Sequence, residues 1–113
     1  MGMDQLFLKM KDDNFHQNNV LLDVRTADEF KAFRIEGSVN CSHDLLDQNW
    51  TELSKEIKSD SCLIIYCRMG VRAGYALEFL KSKNLDQDII VCNQDGMAHW
   101  ADMKYPLLGE QIT

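Results

Sequence analysis

The sequence predicts an α/β fold: a small open parallel sheet of four or five strands with helices on both faces. Three observations carry this expectation. Val20-Leu21-Leu22-Asp23-Val24, Cys62-Leu63-Ile64-Ile65-Tyr66 and Ile89-Ile90-Val91-Cys92 are short apolar runs with little polar alternation, the pattern of strands covered on both faces. Stretches with helical spacing lie between them, so strand and helix alternate along the chain. Repeats, low-complexity tracts and linkers are absent, so residues 1–113 are expected to form one domain.

The elements follow in order. Residues 1–19 read as a helical lead-in, because Leu6, Phe7 and Met10 suit one face of a helix over Gln5 to Met10. Leu6-Phe7-Leu8 alone also suits a short edge strand. After the first strand, Thr26 caps a helix from Ala27, with Glu29 at the capping-box position and Phe30 and Phe33 three residues apart. Arg25 and Glu29, four apart, are expected to pair at that helix start. Ser38-Val39-Asn40 forms a further short strand. Leu45, Leu46, Trp50, Leu53 and Ile57 support one or two helical pieces, interrupted near Asn49. Ala73, Ala76, Leu77, Phe79 and Leu80 mark an amphipathic helix beginning at Ala73. Pro106 ends the last structured segment, and residues 107–113 are expected to be a loose tail.

Composition narrows the function. With 12 Lys and Arg against 18 Asp and Glu the net charge is -6, which disfavours a nucleic-acid surface, since such surfaces neutralise several phosphates. No apolar stretch approaches the roughly 20 residues of a membrane span. The opening segment lacks a basic start followed by an apolar block, so a cytoplasmic location is expected. Cys41, Cys62, Cys67 and Cys92 show no C-x-x-C spacing, and a chain of this size folds without disulfides, so reduced thiols are expected. Cys62 and Cys92 lie in apolar runs and read as core. His43 and His99 lack metal-ligand spacing, and neither a metal nor another cofactor is expected.

In open parallel sheets, ligands bind beyond the carboxyl ends of the strands. Asp23-Val24-Arg25, Asn40-Cys41-Ser42-His43, Cys67-Arg68-Met69-Gly70-Val71-Arg72 and Asn93-Gln94-Asp95-Gly96 all fall there. The third segment joins a strand directly to a helix. Its loop N–H groups and the helix N-terminus cradle negative charge, Gly70 supplies the curl, and Arg68 and Arg72 add positive charge. Cys67 is therefore the candidate nucleophile, and Arg68, Met69, Gly70, Val71 and Arg72 are the candidate substrate-binding loop. Such a cradle suits a small oxyanion such as thiosulfate, or a persulfide carried by a thiol. Attack on a sulfane sulfur gives a Cys67 persulfide that an acceptor thiolate removes. Cys41 also follows a strand and could approach the pocket, and a role as resolving thiol through an internal disulfide is the less favoured reading for it.

"VLLDVRTADEF", "IEGSVN", "YCRMGVRAG" and "GMAHW" with "YP" beyond it resemble the single-domain rhodanese family of thiosulfate sulfurtransferases over nearly the whole chain. The resemblance implies a rhodanese-like doubly wound sheet, with Cys67, the Cys of the C-R-x-G-x-R loop, carrying the transferred sulfur. Arg68 and Arg72 match its basic loop positions. Asp23, Arg25 and Glu29 match the supporting D-V-R-x-x-x-E stretch, and Asn40 the Asn after the third strand. The implied activity moves sulfane sulfur from thiosulfate or a persulfide to cyanide or to a thiol such as glutathione or a thioredoxin-like protein. Two departures stand out: Phe33-Arg34-Ile35 replaces the usual G-H-I, and the L-x-G-G-x-x-x-W stretch is shortened around the single Gly96. Only four residues separate Cys67 from Arg72, one fewer than in Cys-dependent phosphatases, and by that analogy sulfur transfer is favoured over phosphate hydrolysis. The alternative is an anion-binding or thiol-relay module without turnover. A phosphatase or arsenate reductase ranks below both.

Overall fold

In the computed structural model, which describes residues 1–110, β1 (Asn19–Asp23), β2 (Val39–Asn40), β3 (Cys62–Tyr66) and β4 (Ile89–Val91) form the sheet. Its order is β2-β1-β3-β4 and every pairing is parallel. The helices are α1 (Met3–Lys9), α2 (Phe15–Asn18), α3 (Ala27–Ala32), α4 (Trp50–Leu53), α5 (Val71–Lys81) and α6 (Met97–Asp102).

The two faces of the sheet explain the unbroken apolar runs. Val20, Leu22, Leu63 and Ile65 point to one side, where Ala73, Ala76 and Leu80 of α5 and Leu53 of α4 cover them. Leu21, Ile64 and Tyr66 point to the other, under Met3 and Leu6 of α1, Phe15 of α2 and Met97 and Trp100 of α6. Successive residues of β1 and β3 beyond the first are thus buried, and no polar alternation survives there.

Several boundaries differ from the sequence expectation. The segment expected as one or two helical pieces is three: a 3-10 turn at His43–Leu45, α4, and a 3-10 turn at Ser54–Glu56. Helix α5 begins at Val71 rather than Ala73, because Gly70, at φ 103°, turns the chain in a left-handed conformation immediately before it. Cys62 is only half-buried at the mouth of β3, whereas Cys92 is buried. The tail is not loose where it is described. The Arg34 N–H donates to the Leu108 carbonyl at 2.7 Å and the Leu108 N–H returns the bond at 2.9 Å, while the Glu110 N–H donates to the Lys31 carbonyl at 3.1 Å. Pro106 stops the helical turn but leaves the following backbone groups free to pair with the segment after α3; residues 111–113 lie outside the described residues.

Candidate active site

The end of β3 runs straight into the loop that carries Cys67, and α5 starts four residues later. The Cys67 side chain is 1% exposed, on the face of the sheet that α5 covers. Its Sγ accepts the N–H groups of Gly70 at 3.0 Å and Ala73 at 3.3 Å. The N–H groups of Val71 and Arg72 have no acceptor among the described residues and remain available to an anion. Arg68, Met69 and Val71 turn their side chains to solvent, so Met69 and Val71 serve the loop through their backbone.

The loop is held from behind. The N–H of Met97 donates to the Cys67 carbonyl at 2.9 Å and that of Ala98 to the Arg68 carbonyl at 3.2 Å. Gly96 permits this approach: a Cβ there would run into the carbonyl oxygens of Cys67 and Arg68. At Gly70 a Cβ would stand 2.6 Å from the Asn93 carbonyl oxygen, besides opposing the positive φ. The shortened Gln94–Trp100 stretch is therefore a fitted brace for the cysteine loop.

A buried polar frame stands beside it. Asp23 is fully buried and accepts the backbone N–H of Arg25 at 2.9 Å, its Nε–H at 3.0 Å and its Nη2–H at 2.7 Å. Arg25 Nη2 also donates to the Phe33 carbonyl at 2.7 Å, and its guanidinium lies 5.3 Å from the Phe33 ring centre. Phe33, where the family's pattern has a small residue, thus seats Arg25. Asn40 Nδ2 donates to the carbonyls of Asp23 and Arg25, both at 3.0 Å, tying β2 to the end of β1. On the same side the Tyr66 hydroxyl bonds the Ser38 hydroxyl at 2.6 Å; sequence reasoning passed over that pair, whose only signal is a polar residue at the end of each run.

The expected Arg25–Glu29 pair does not form. Arg25 is engaged by Asp23, and Glu29 turns to Arg72, which donates Nη1 to Oε1 at 2.6 Å and Nη2 to Oε2 at 2.9 Å. The capping box expected at Thr26 is present, with the Glu29 N–H donating to Thr26 Oγ1 at 3.2 Å. Arg72 lowers the Glu29 carboxyl from its usual 4.5 to about 2, against the opposing effect of burial, and Glu29 in turn raises the guanidinium of Arg72. A depressed carboxyl contributes stability above its unfolded value and loses it as pH falls from about 4.5 through about 2. Glu29→Gln is expected to cost less than about 1 kcal/mol near neutral pH, because the pair is partly solvated. Urea midpoints of the variant and the parent protein should converge as pH falls through that window.

The remaining thiols lack this setting. Burial pushes Cys92 up to about 11, and it raises Cys41 and Cys62 as well. Asp23 lies opposite both Asn40 and Tyr66, so Cys41 and Cys67, the next residues, flank Val24 on either side. Two strand spacings put their Cα atoms about 9.5 Å apart, beyond the roughly 7 Å that a disulfide spans. Cys41 is therefore not placed to resolve a Cys67 persulfide without backbone movement. The His43 ring lies 6.1 Å from that of Tyr75, and His99 bonds Asp4 of α1 at 2.9 Å.

Next to the loop, a cleft of about 490 Å³ opens between α3 and α6. Arg68, Glu29 and Asp102 line it with Phe33, Ala98 and Ala101. Sequence reading missed the contribution of α6; the one available signal was the small-residue face of Ala98 and Ala101 ahead of an acid. No helix among the described residues is long and apolar enough to cross a membrane.

A thiol at a strand-to-helix turn, held by loop amides and flanked by arginines, defines an α/β protein with a cysteine-bearing anion loop. Residues 4–103 match the family model for the Rhodanese-like domain, and the chain belongs to that family. No curated protein matches it. Among solved structures it is similar to a rhodanese-related protein from Thermoplasma volcanium, at 24% identity and TM-score 0.73, covering 97% of each chain. A Rhodanese-like domain protein from Staphylococcus aureus aligns at 22% identity and TM-score 0.75, over 97% of this chain and 96% of that one. A protein of unknown function from Rhodopseudomonas palustris, described as a possible tyrosine phosphatase, aligns at 21% identity and TM-score 0.71, over 93% of this chain and 80% of its own. These likenesses establish the α/β fold.

Proposed function

We propose that this protein is a sulfurtransferase that carries sulfane sulfur on Cys67. The supporting observation is the placement of Sγ on the N–H groups of Gly70 and Ala73 at the start of α5. The Cys67 thiolate attacks the outer sulfur of thiosulfate, forming a new S–S bond as the old one breaks and sulfite leaves. The persulfide's terminal sulfur then takes the charge and meets the free N–H groups of Val71 and Arg72. An acceptor thiolate attacks that sulfur, leaves as its own persulfide and restores the Cys67 thiolate; cyanide leaves as thiocyanate. Electrons balance without a cofactor.

Arg68 is the side chain that meets an incoming anion, since it is exposed at the cleft. Arg72, locked to Glu29 in a bidentate pair, ties the start of α5 to α3. Asp23, Arg25 and Asn40 brace the ends of β1 and β2 beside the loop. The donor is a small sulfur anion, the acceptor a thiol such as glutathione or a thioredoxin-like protein, and the four free thiols suit a reducing, cytoplasmic setting.

Steady-state assays with thiosulfate and each of cyanide, glutathione and a reduced thioredoxin test this reading. Many turnovers per chain are expected, none of them in Cys67→Ser. Transfer limited to one sulfur per chain with every acceptor identifies a relay module instead. Cys67-dependent hydrolysis of a phosphate ester without sulfur transfer identifies a phosphatase.

A further inference from the structure

The cleft beside the cysteine loop is larger than a small inorganic anion needs. Its volume of about 490 Å³ falls within the range of pockets that hold organic ligands. Its charges are arranged in two groups. Glu29 is neutralised by Arg72, and Arg25 by Asp23. Arg68 and Asp102 line the same cleft, and neither has a salt-bridge partner among the described residues.

Their order along the cleft is fixed by backbone contacts. The Ala98 N–H donates to the Arg68 carbonyl at 3.2 Å, which places the first turn of α6 against the cysteine loop. Asp102 follows Ala98 by one helical turn, about 6 Å along the axis and on the same side. Between them Ala98 and Ala101 contribute only methyl groups, and the Phe33 side chain forms part of the lining. The cleft therefore offers a cation on the cysteine loop, a small apolar floor and an anion one turn of α6 away. Thiosulfate, a dianion, gains nothing from Asp102 and is repelled by it.

We propose that this cleft is a subsite for a zwitterionic thiol: an amino-acid or peptide persulfide whose carboxylate pairs with Arg68 and whose ammonium pairs with Asp102. The inference rests on the sulfurtransferase reading for the transfer step but not for the binding step. In the transfer, the Cys67 thiolate attacks the outer sulfur of the persulfide R–S–SH. The Cys67–S bond forms, the donor S–S bond breaks, and the thiolate R–S⁻ leaves to take a proton from water. The same groove then admits a zwitterionic thiol as acceptor by the reverse step.

Binding and transfer are tested separately. S-methylglutathione cannot transfer sulfur, and titrating it into the protein should shift the backbone amide resonances of Phe33, Ala98 and Ala101, with weaker affinity in Asp102→Asn. Absence of shifts at these residues, or affinity unaltered by the substitution, overturns the subsite whatever Cys67 does. In kinetics, the ratio of kcat/KM for glutathione persulfide to that for thiosulfate should fall about fivefold in Asp102→Asn, as expected for one solvent-accessible ion pair. The two donors are expected to move in opposite directions, because losing the carboxylate removes repulsion for the dianion. A fall of less than about twofold overturns the ammonium assignment. If the amides shift but no donor loads Cys67, the sulfurtransferase reading fails and the binding site stands.

Discussion

Asp23→Ala should destabilise the protein by about 3–5 kcal/mol, the cost of removing one partner from a buried ion pair. Asp23 is fully buried and Arg25 is 1% exposed. The carboxylate accepts three N–H groups of Arg25, leaving Nη2 one further bond, to the Phe33 carbonyl. Without the carboxylate a guanidinium that is 1% exposed has little to balance its charge. Asp23→Asn retains the shape and part of the hydrogen bonding and should lose less. Urea denaturation of the three proteins measures both effects. A loss below about 1 kcal/mol for Asp23→Ala would mean that Arg25 finds solvent, as an exposed pair does, and that the frame around β1 is softer than its burial implies.

The second large effect is functional. Gly96→Ala should reduce the rate of sulfur loading on Cys67 by about 100-fold, the loss associated with a displacement of about 1 Å in a reacting group. The added methyl group meets two carbonyl oxygens, those of Cys67 and Arg68. These are backbone atoms and have no rotamer to yield. Relief requires the cysteine loop and α6 to separate, which breaks the bonds from Met97 and Ala98 and moves Sγ relative to its N–H donors. Gly74→Ala is the matched control: a Cβ there meets nothing within 4 Å, and Ala suits a helix better than Gly. Loading measured by intact mass over time should separate the two variants. Equal rates in both would show that the brace from α6 does not set the position of Cys67.

Much of this architecture is legible in the sequence because its signals are local. The apolar runs at Val20, Cys62 and Ile89 announce a parallel sheet, and Thr26 with Glu29 announces a helix start. Cys67, Gly70 and Arg72 announce a strand-to-helix loop because residue type and spacing both matter there. Much of what escaped depends on partners distant in the chain. Arg25 and Glu29 have ideal helical spacing, yet a fully buried carboxylate on one side and Arg72 on the other, 43 residues away, compete more strongly. The same holds for the tail: Pro106 is a correct stop signal, but nothing local reveals that Leu108 finds Arg34. The role of Gly96 is visible only as a departure from a longer glycine pattern until the two carbonyls it admits are in place. Relations between Cys41 and Cys67 likewise follow from strand order, which periodicity does not encode.

The central claim is that Cys67, and no other thiol of the chain, takes up sulfane sulfur in its ring of amides. Intact-protein mass spectrometry after brief exposure to thiosulfate, followed by peptide mapping, measures this directly. One added sulfur on the peptide carrying Cys67, removed by an acceptor thiol and missing in Cys67→Ser, is the expected result. An unmodified protein after treatment with thiosulfate and with glutathione persulfide, or sulfur found on Cys41, Cys62 or Cys92 instead, would contradict it.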